Sequence, residues 1–226
     1  MNNPLLKQYN KWFEDHDTLT LSYDQESRKS FYSFFNFETK GKKLLDVACG
    51  SGHDLKYYQD VMSCDVYGID ASDGEVELAN KRLGKDAVKV GFSNSLPYED
   101  ASFDIVVSKY GAQTFEDIEA FYKEVTRVLK PGGHFVLLAT HPMRHFCEKT
   151  EKPRNYFKKE TVTSWIYNHT LPLQEISHTM NEYLSPFFFA HFILDQYIEE
   201  YDDISTEHVD NEKYPGYFIF RARKKI

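Results

Sequence analysis

Cysteine is scarce and unpaired by pattern: Cys49, Cys64 and Cys147 are an odd number, widely spaced, with no CxxC among them. A disulfide framework is therefore not expected and a reducing compartment fits. No apolar run approaches the roughly 18 residues of a membrane-crossing helix, so no membrane partner is expected. The opening MNNPLLKQYNKWFEDHD has no basic stretch followed by an apolar core, and the expectation is a soluble cytoplasmic protein. Basic excess is missing too, with 35 acidic against 27 basic residues and a formal net charge of -8. Extended phosphate backbones are held by Lys and Arg contacts, so no nucleic acid partner is expected. Low-complexity segments and internal repeats are absent. The length of 226 residues suffices for one α/β domain with elaborations.

What the chain does have is concentrated in Leu44-Leu45-Asp46-Val47-Ala48-Cys49-Gly50-Ser51-Gly52-His53-Asp54. An apolar run that ends in an acidic residue and a glycine-rich turn is how a buried strand delivers a ligand-binding loop. Small residues at Ala48, Gly50 and Gly52 let a ligand approach the backbone. The helix expected from His53 would direct free N–H groups at that ligand.

Around this stretch, apolar runs alternate with amphipathic segments. Strands are predicted over residues 43–47, 66–70, 87–92, 103–108 and 134–140, and helices over 53–62, 73–83 and 115–129. Lys130-Pro131-Gly132-Gly133 stops the last of these helices. Two helices are predicted to precede the sheet, over residues 4–15 and 23–37, with Ser22 as N-cap of the second. After Pro142 the pattern loosens. A strand is predicted over 175–183, a helix from Ser185-Pro186 with Phe187, Phe188 and Phe189 as its buried face, and a closing strand over 217–222. Strand–helix–strand repetition implies a parallel sheet with right-handed crossovers and helices on both faces. Ligands sit beyond the C-terminal ends of such strands, which converges residues 48–52, Asp70, 92–95 and 108–111 on one site.

A dinucleotide and a nucleoside carrying a smaller group compete for that site, and spacing separates them. The dinucleotide fingerprint needs a third glycine, but the position falls on Leu55 if counted from Gly50 and on His53 if counted from Ala48. Asp46 and the loop backbone suit a charged amino-acid moiety instead. Asp70, about 20 residues past Gly50, stands where a carboxylate accepts hydrogen bonds from ribose hydroxyls.

Four blocks in register now carry a resemblance: 46–52, Gly68-Ile69-Asp70-Ala71-Ser72, the segment from Leu96-Pro97-Tyr98 to Ser102-Phe103-Asp104-Ile105-Val106, and 124–133 ending in Lys130-Pro131-Gly132-Gly133. The chain resembles class I S-adenosylmethionine-dependent methyltransferases of the small-molecule type, similar to those of ubiquinone and menaquinone biosynthesis. The match covers about residues 41–140 and returns between Pro215 and Lys224. The resemblance implies an α/β, Rossmann-like seven-stranded sheet, mostly parallel with its last strand antiparallel, in one domain. Residues 1–40 would be a helical lid, 41–141 the cofactor core, and 142–226 the acceptor-side insertion and closing strands. It implies methyl transfer from S-adenosylmethionine to an O, N or C atom of a small molecule, with S-adenosylhomocysteine as product and no metal. The alternative is a catalytically silent relative that binds cofactor or a partner protein. The acceptor and the oligomeric state are left open.

By position, Gly50 and Gly52 would pass the methionine moiety with Ala48 and Cys49, Asp46 would fix that region, and Asp70 with Ala71 would hold the ribose. Ser108, Lys109 and Tyr110 would line the sulfonium and the acceptor entrance. Relatives carry Asp where Phe92 stands, so adenine is met either by Ser93 or Asn94 or by stacking on Phe92. Asp46 is equally a structural carboxylate capping its loop. Cys49 reads as a small filler rather than a reactive thiol, and Tyr9 as a lid contact or simple packing. His141 is either a proton acceptor at the mouth of the site or a loop histidine. His141, His145 and Cys147 form HxxxHxC, but no fourth ligand is evident for zinc.

Overall fold

The computed structural model describes residues 4–167, 170–201 and 213–226. Lys43–Val47 (β1), Asp65–Asp70 (β2), Val88–Val90 (β3), Phe103–Lys109 (β4) and Leu129–Thr140 (β5) pair in parallel. Thr161–Ile166 (β6) and Leu171–Ile176 (β7) form a separate antiparallel hairpin. Phe192–Glu200 (β8) and Tyr217–Lys224 (β9) complete a seven-stranded sheet of order β3-β2-β1-β4-β5-β9-β8, with only β9 antiparallel to its neighbours. Successive residues of β1 serve opposite faces, as a strand's period of two requires. Leu45 and Val47 join the apolar layer with Phe121, Phe135 and Phe188, whereas Leu44 joins Leu55, Tyr58 and Val66 on the other side.

The helices are Pro4–Tyr23 (α1), Gln25–Ser33 (α2), His53–Asp60 (α3), Asp73–Leu83 (α4), Ile118–Val128 (α5), Pro142–Glu148 (α6), Met180–Tyr183 (α7) and Pro186–His191 (α8), with a 3-10 turn at Ala112–Thr114. α5 shows the strongest amphipathic logic: Ile118, Phe121, Tyr122, Val125 and Val128 are all buried.

Four sequence expectations are corrected. The first helix runs on to Tyr23 because Leu19 and Tyr23 pack against Tyr167, and tertiary contact outweighs the weak helix preference of Thr18 and Thr20. Asp24, not Ser22, precedes α2, and its carboxylate serves Arg28 and Lys109 rather than capping. The strand expected over 175–183 ends at Ile176, because Thr179 and Glu182 form a capping box that starts α7. Of the three successive phenylalanines only Phe188 is buried, since neighbours on a helix point about 100° apart.

Two features place the site. The strands β1, β2, β4 and β5 all end at one edge, and α1 crosses that edge. Gln8 ties α1 to β7 like a missing strand partner, its Nε2 donating to Gln174 O (2.9 Å) and its Oε1 accepting from Gln174 N (2.7 Å). Among the described residues no helix is long and apolar enough to cross a membrane.

Candidate active site

The turn after β1 is shaped by the strand beside it. Ala48 and Cys49 both donate to Ile69 O (2.8 and 3.2 Å), which draws the loop onto the end of β2. Ala48 and Gly50 take positive φ, and Gly52 at φ +78 opens α3. A Cβ on Gly52 would lie 2.9 Å from Ala79 Cβ, so the glycine is what lets α3 and α4 close up. Across the cleft, a Cβ on Gly111 would meet Ala48 Cβ at 2.6 Å, which brings the turns after β1 and β4 together.

Asp70 joins the loops after β1 and β2. Its Oδ2 accepts from Gly50 N and its Oδ1 from Ser72 N, each at 2.9 Å. Burial pushes its carboxyl up to about 6, helped by the Glu75 carboxylate and opposed by the two amides. A ligand that donates to the ionised form binds with loss of a proton. Affinity for such a ligand is then expected to be flat above pH 7 and to weaken as pH falls through about 6, by up to tenfold per unit. Titration calorimetry between pH 5 and 8 checks this, with proton release growing toward low pH. For the free protein the sign reverses. The folded state holds this proton more tightly than the unfolded chain, so the stability it contributes falls as pH rises from 3.8 to about 6.

These loops frame a cleft of about 230 Å³. The helix α1 roofs it with one stripe, Leu5, Tyr9, His16, Thr20 and Tyr23, at helical spacing. Ala48, Cys49, Gly50, Asp70 and Ala71 line the floor, with Phe92 and Ser93 at one side and Lys109 and Tyr110 at the other. Burial and the carboxylates of Asp70, Asp46 and Glu75 push the Cys49 thiol well up, away from reactivity. Phe92 is 40% exposed, with its ring at the edge of the cleft.

Other expected residues lie elsewhere. Asp46 is buried beneath the loop and outside the cleft lining, with its carboxyl pushed well up by burial and by Asp54. Gly52 and Ser108 also lie behind the lining, and Asn94 sits on an exposed turn. His141 is not at the mouth of the site. It caps α6 through Nδ1, which accepts from Met143 N (3.1 Å), and its Nε2 is 3.4 Å from Glu199. Its own carbonyl-side neighbour Pro142 begins a helix there, and the cap holds the ring outside the cleft. Among the described residues no group of three or more His, Cys, Asp and Glu is placed to hold a metal ion.

Two clusters were not legible beforehand. At one end Lys109 pairs with Asp24 and approaches Asp54 at 3.6 Å, while Arg28 reaches Asp24 and Asp54 at 3.2 Å each. Burial would raise the Asp54 carboxyl, but Lys109 and Arg28 outweigh it and hold it below the ordinary carboxylate range. At the other end Glu175 of β7 faces the cleft between Gln113 and His145. Its Oε1 accepts from Gln113 Nε2 (3.2 Å) and its Oε2 pairs with His145 Nε2 (2.8 Å). Arg144 lines the cleft beside them, held by Glu148 and by Trp165 O at 2.9 Å each. Lys109 was expected in the site from its place at the end of β4, whereas Arg28, Glu175 and Arg144 come from separate elements and no local spacing announces them.

A parallel sheet of this order, with a glycine-bearing turn after β1 and a half-buried carboxylate closing β2, defines a Rossmann-like fold. Residues 45–137 match the family described as methyltransferase domain. It is 32% identical over 149 residues to the uncharacterized methyltransferase YcgJ of Bacillus subtilis, covering 63% of this chain and 52% of that one. It is 36% identical over 91 residues to a demethylmenaquinone methyltransferase of Chlorobaculum tepidum, 40% of this chain and 38% of that one. The chain thus spans about half the length, or less, of the curated relatives it matches. An S-adenosylmethionine-dependent methyltransferase from Listeria monocytogenes shares the fold at a TM-score of 0.70 with 19% identity, over 88% of this chain and 97% of that one. So does a chain from the complex of the Haloferax volcanii Trm112 methyltransferase activator with a methyltransferase, at 0.74 with 18% identity and 98% of each chain.

Proposed function

We propose that the protein transfers a methyl group from S-adenosylmethionine to a small-molecule acceptor in the cytoplasm. The observation that carries this reading is the Asp70 carboxylate, pinned by the Gly50 and Ser72 amides at the end of β2 inside a roofed cleft. The cleft fits such a ligand: Glu75 is buried there with both carboxylate oxygens unpartnered, as groups are that await a donor.

Asp70 and Ala71 would hold the ribose, Phe92 and Ser93 the adenine side, and the turn of Ala48, Cys49 and Gly50 the methionine portion. When bound, S-adenosylmethionine supplies a methyl group already activated on a sulfonium. The chain's own task is then alignment and exclusion of water. Tyr9, Tyr23 and Tyr167 roof the cleft with apolar ring surface. Tyr110, at φ +53, stands at the acceptor entrance, its N–H fixed on Leu138 O (2.9 Å). Glu175 takes the place proposed for His141. It faces the cleft, where it accepts a hydrogen bond from an acceptor O–H or N–H and holds that group toward the methyl.

A small acceptor is supported by relatives named for such substrates, a demethylmenaquinone methyltransferase and a phthiotriol/phenolphthiotriol dimycocerosates methyltransferase of Mycobacterium ulcerans. Residues 1–44 and 138–226 lie outside the family match, and the roofing helix with the segment after Pro142 would choose the acceptor. Incubation with methyl-labelled S-adenosylmethionine and a small-molecule cell extract, followed by mass identification, tests the reading. Label is expected in low-mass products. Label confined to protein or nucleic acid, or none at all, would contradict it.

A further inference from the structure

Ser72-x-x-Glu75 has the sequence of a capping box, in which the glutamate would fold back to the N-cap N–H. The structure breaks that box. Ser72 Oγ does accept from Glu75 N (3.4 Å), but the Ser72 N–H is already given to Asp70 Oδ1 at 2.9 Å. Deprived of its local partner, the Glu75 carboxylate turns into the cleft. There it is 1% exposed, and neither oxygen makes a hydrogen bond. Its one ion-pair neighbour among the described residues is His16 Nδ1 on the roofing helix, 3.4 Å from Oε1. Oε2 lies 3.7 Å from where a Cβ on Gly50 would stand. The same Gly50 donates its N–H to Asp70, so two carboxylates, one from the end of β2 and one from the first turn of α4, converge on one glycine.

Burying a carboxylate without donors, as with Glu75, is unfavourable, and a second carboxylate beside it adds repulsion. A ligand offering two adjacent hydroxyl donors relieves both at once. We propose that Glu75 is a second ribose carboxylate: Asp70 accepts from one hydroxyl of the bound nucleoside and Glu75 from the other. This rests on the cofactor reading above and adds a positioning residue to it. His16 then closes over Glu75 from the roof, so the ribose end is sealed by the same helix that covers the methyl-transfer end.

A positioning role and a structural one have opposite signatures here. Glu75→Leu removes a buried carboxylate that makes no hydrogen bond, so the free protein is expected to melt several degrees higher while S-adenosylhomocysteine binds at least tenfold more weakly. Titration calorimetry with S-adenosylhomocysteine and its 2′-deoxy and 3′-deoxy analogues completes the test. The penalty of Glu75→Leu is expected to vanish with the analogue lacking the hydroxyl that Glu75 holds and to persist with the other. Glu75→Gln, which keeps the shape, is expected to show the same pattern at about threefold, and it carries the test if the leucine variant does not fold. An equal penalty for all three ligands, affinity unchanged within twofold, or a lower melting point with unchanged affinity would overturn the proposal. Failure of the wild type to bind S-adenosylhomocysteine at all would instead overturn the cofactor reading on which it rests.

Discussion

Asp70→Ala is expected to weaken S-adenosylhomocysteine binding by roughly 100-fold or more. A hydrogen bond to a charged group contributes about 1.5–3 kcal/mol, and in the proposed complex a ribose hydroxyl depends on the Asp70 carboxylate. Loss of about 3 kcal/mol corresponds to roughly 150-fold in affinity. The variant also releases Gly50 N and Ser72 N, which now order the two loops through one carboxylate. Asp70→Asn keeps an acceptor oxygen and the side-chain shape, so its loss is expected to be smaller. Titration calorimetry of both variants against the wild type checks the order. Binding by Asp70→Ala as tight as that of the wild type would remove the ribose role.

The second large effect concerns stability and the acceptor end. Glu175→Leu is expected to cost about 3–5 kcal/mol, because it strands the buried His145 Nε2 and takes a partner from Gln113. For a chain of this size that is a fall in Tm of about 6–20 °C. Glu175→Gln, which retains the geometry without the charge, is expected to fold and to bind S-adenosylhomocysteine within twofold of wild type while transferring methyl groups at least tenfold more slowly. Burial alone would raise the Glu175 carboxyl, but His145 and Arg144 outweigh it and hold it below the ordinary glutamate value. A depressed carboxyl contributes its full stability above the unfolded value of 4.5 and loses it as pH falls through the lower folded value. Wild type is therefore expected to lose stability below pH 4.5 more steeply than Glu175→Gln, as thermal melts across pH 3–7 would show.

The sequence revealed the parts of the molecule whose causes are local. Leu44 to Val47 read as a buried strand because only Asp46 interrupts its apolar residues, and the Gly50–Gly52 turn follows within the same stretch. α5 was legible because its apolar residues repeat at helical spacing; Lys130-Pro131-Gly132-Gly133, expected as its stop, instead falls within β5, the helix having ended at Val128. Asp70 was legible because a strand end and a glycine loop fix its register. The hairpin β6–β7 was not, since it leans on α1 and α6 rather than on the main sheet, and its polar and aromatic residues lack a clean alternation. β8 was missed for a related reason: it is an edge strand, half-buried along most of its length. Glu175 was read as the start of a strand and is nearly the end of one, so its cleft-facing role depended on a hairpin that the pattern did not show. His141 illustrates the converse. Its position after β5 suggested the mouth of the site, but the Pro142 helix start converts it into a cap. Glu75 carried a capping-box pattern whose meaning changed only when Asp70 was seen to hold the Ser72 amide.

The proposed methyl transfer requires that the cleft beneath α1 hold S-adenosylmethionine or its product. Calorimetric titration of the wild-type protein with S-adenosylhomocysteine tests it most directly. Saturable binding to one site per chain at micromolar concentration is expected, with a thermal midpoint that climbs as ligand is added. No heat and no shift of the midpoint at millimolar ligand would contradict it.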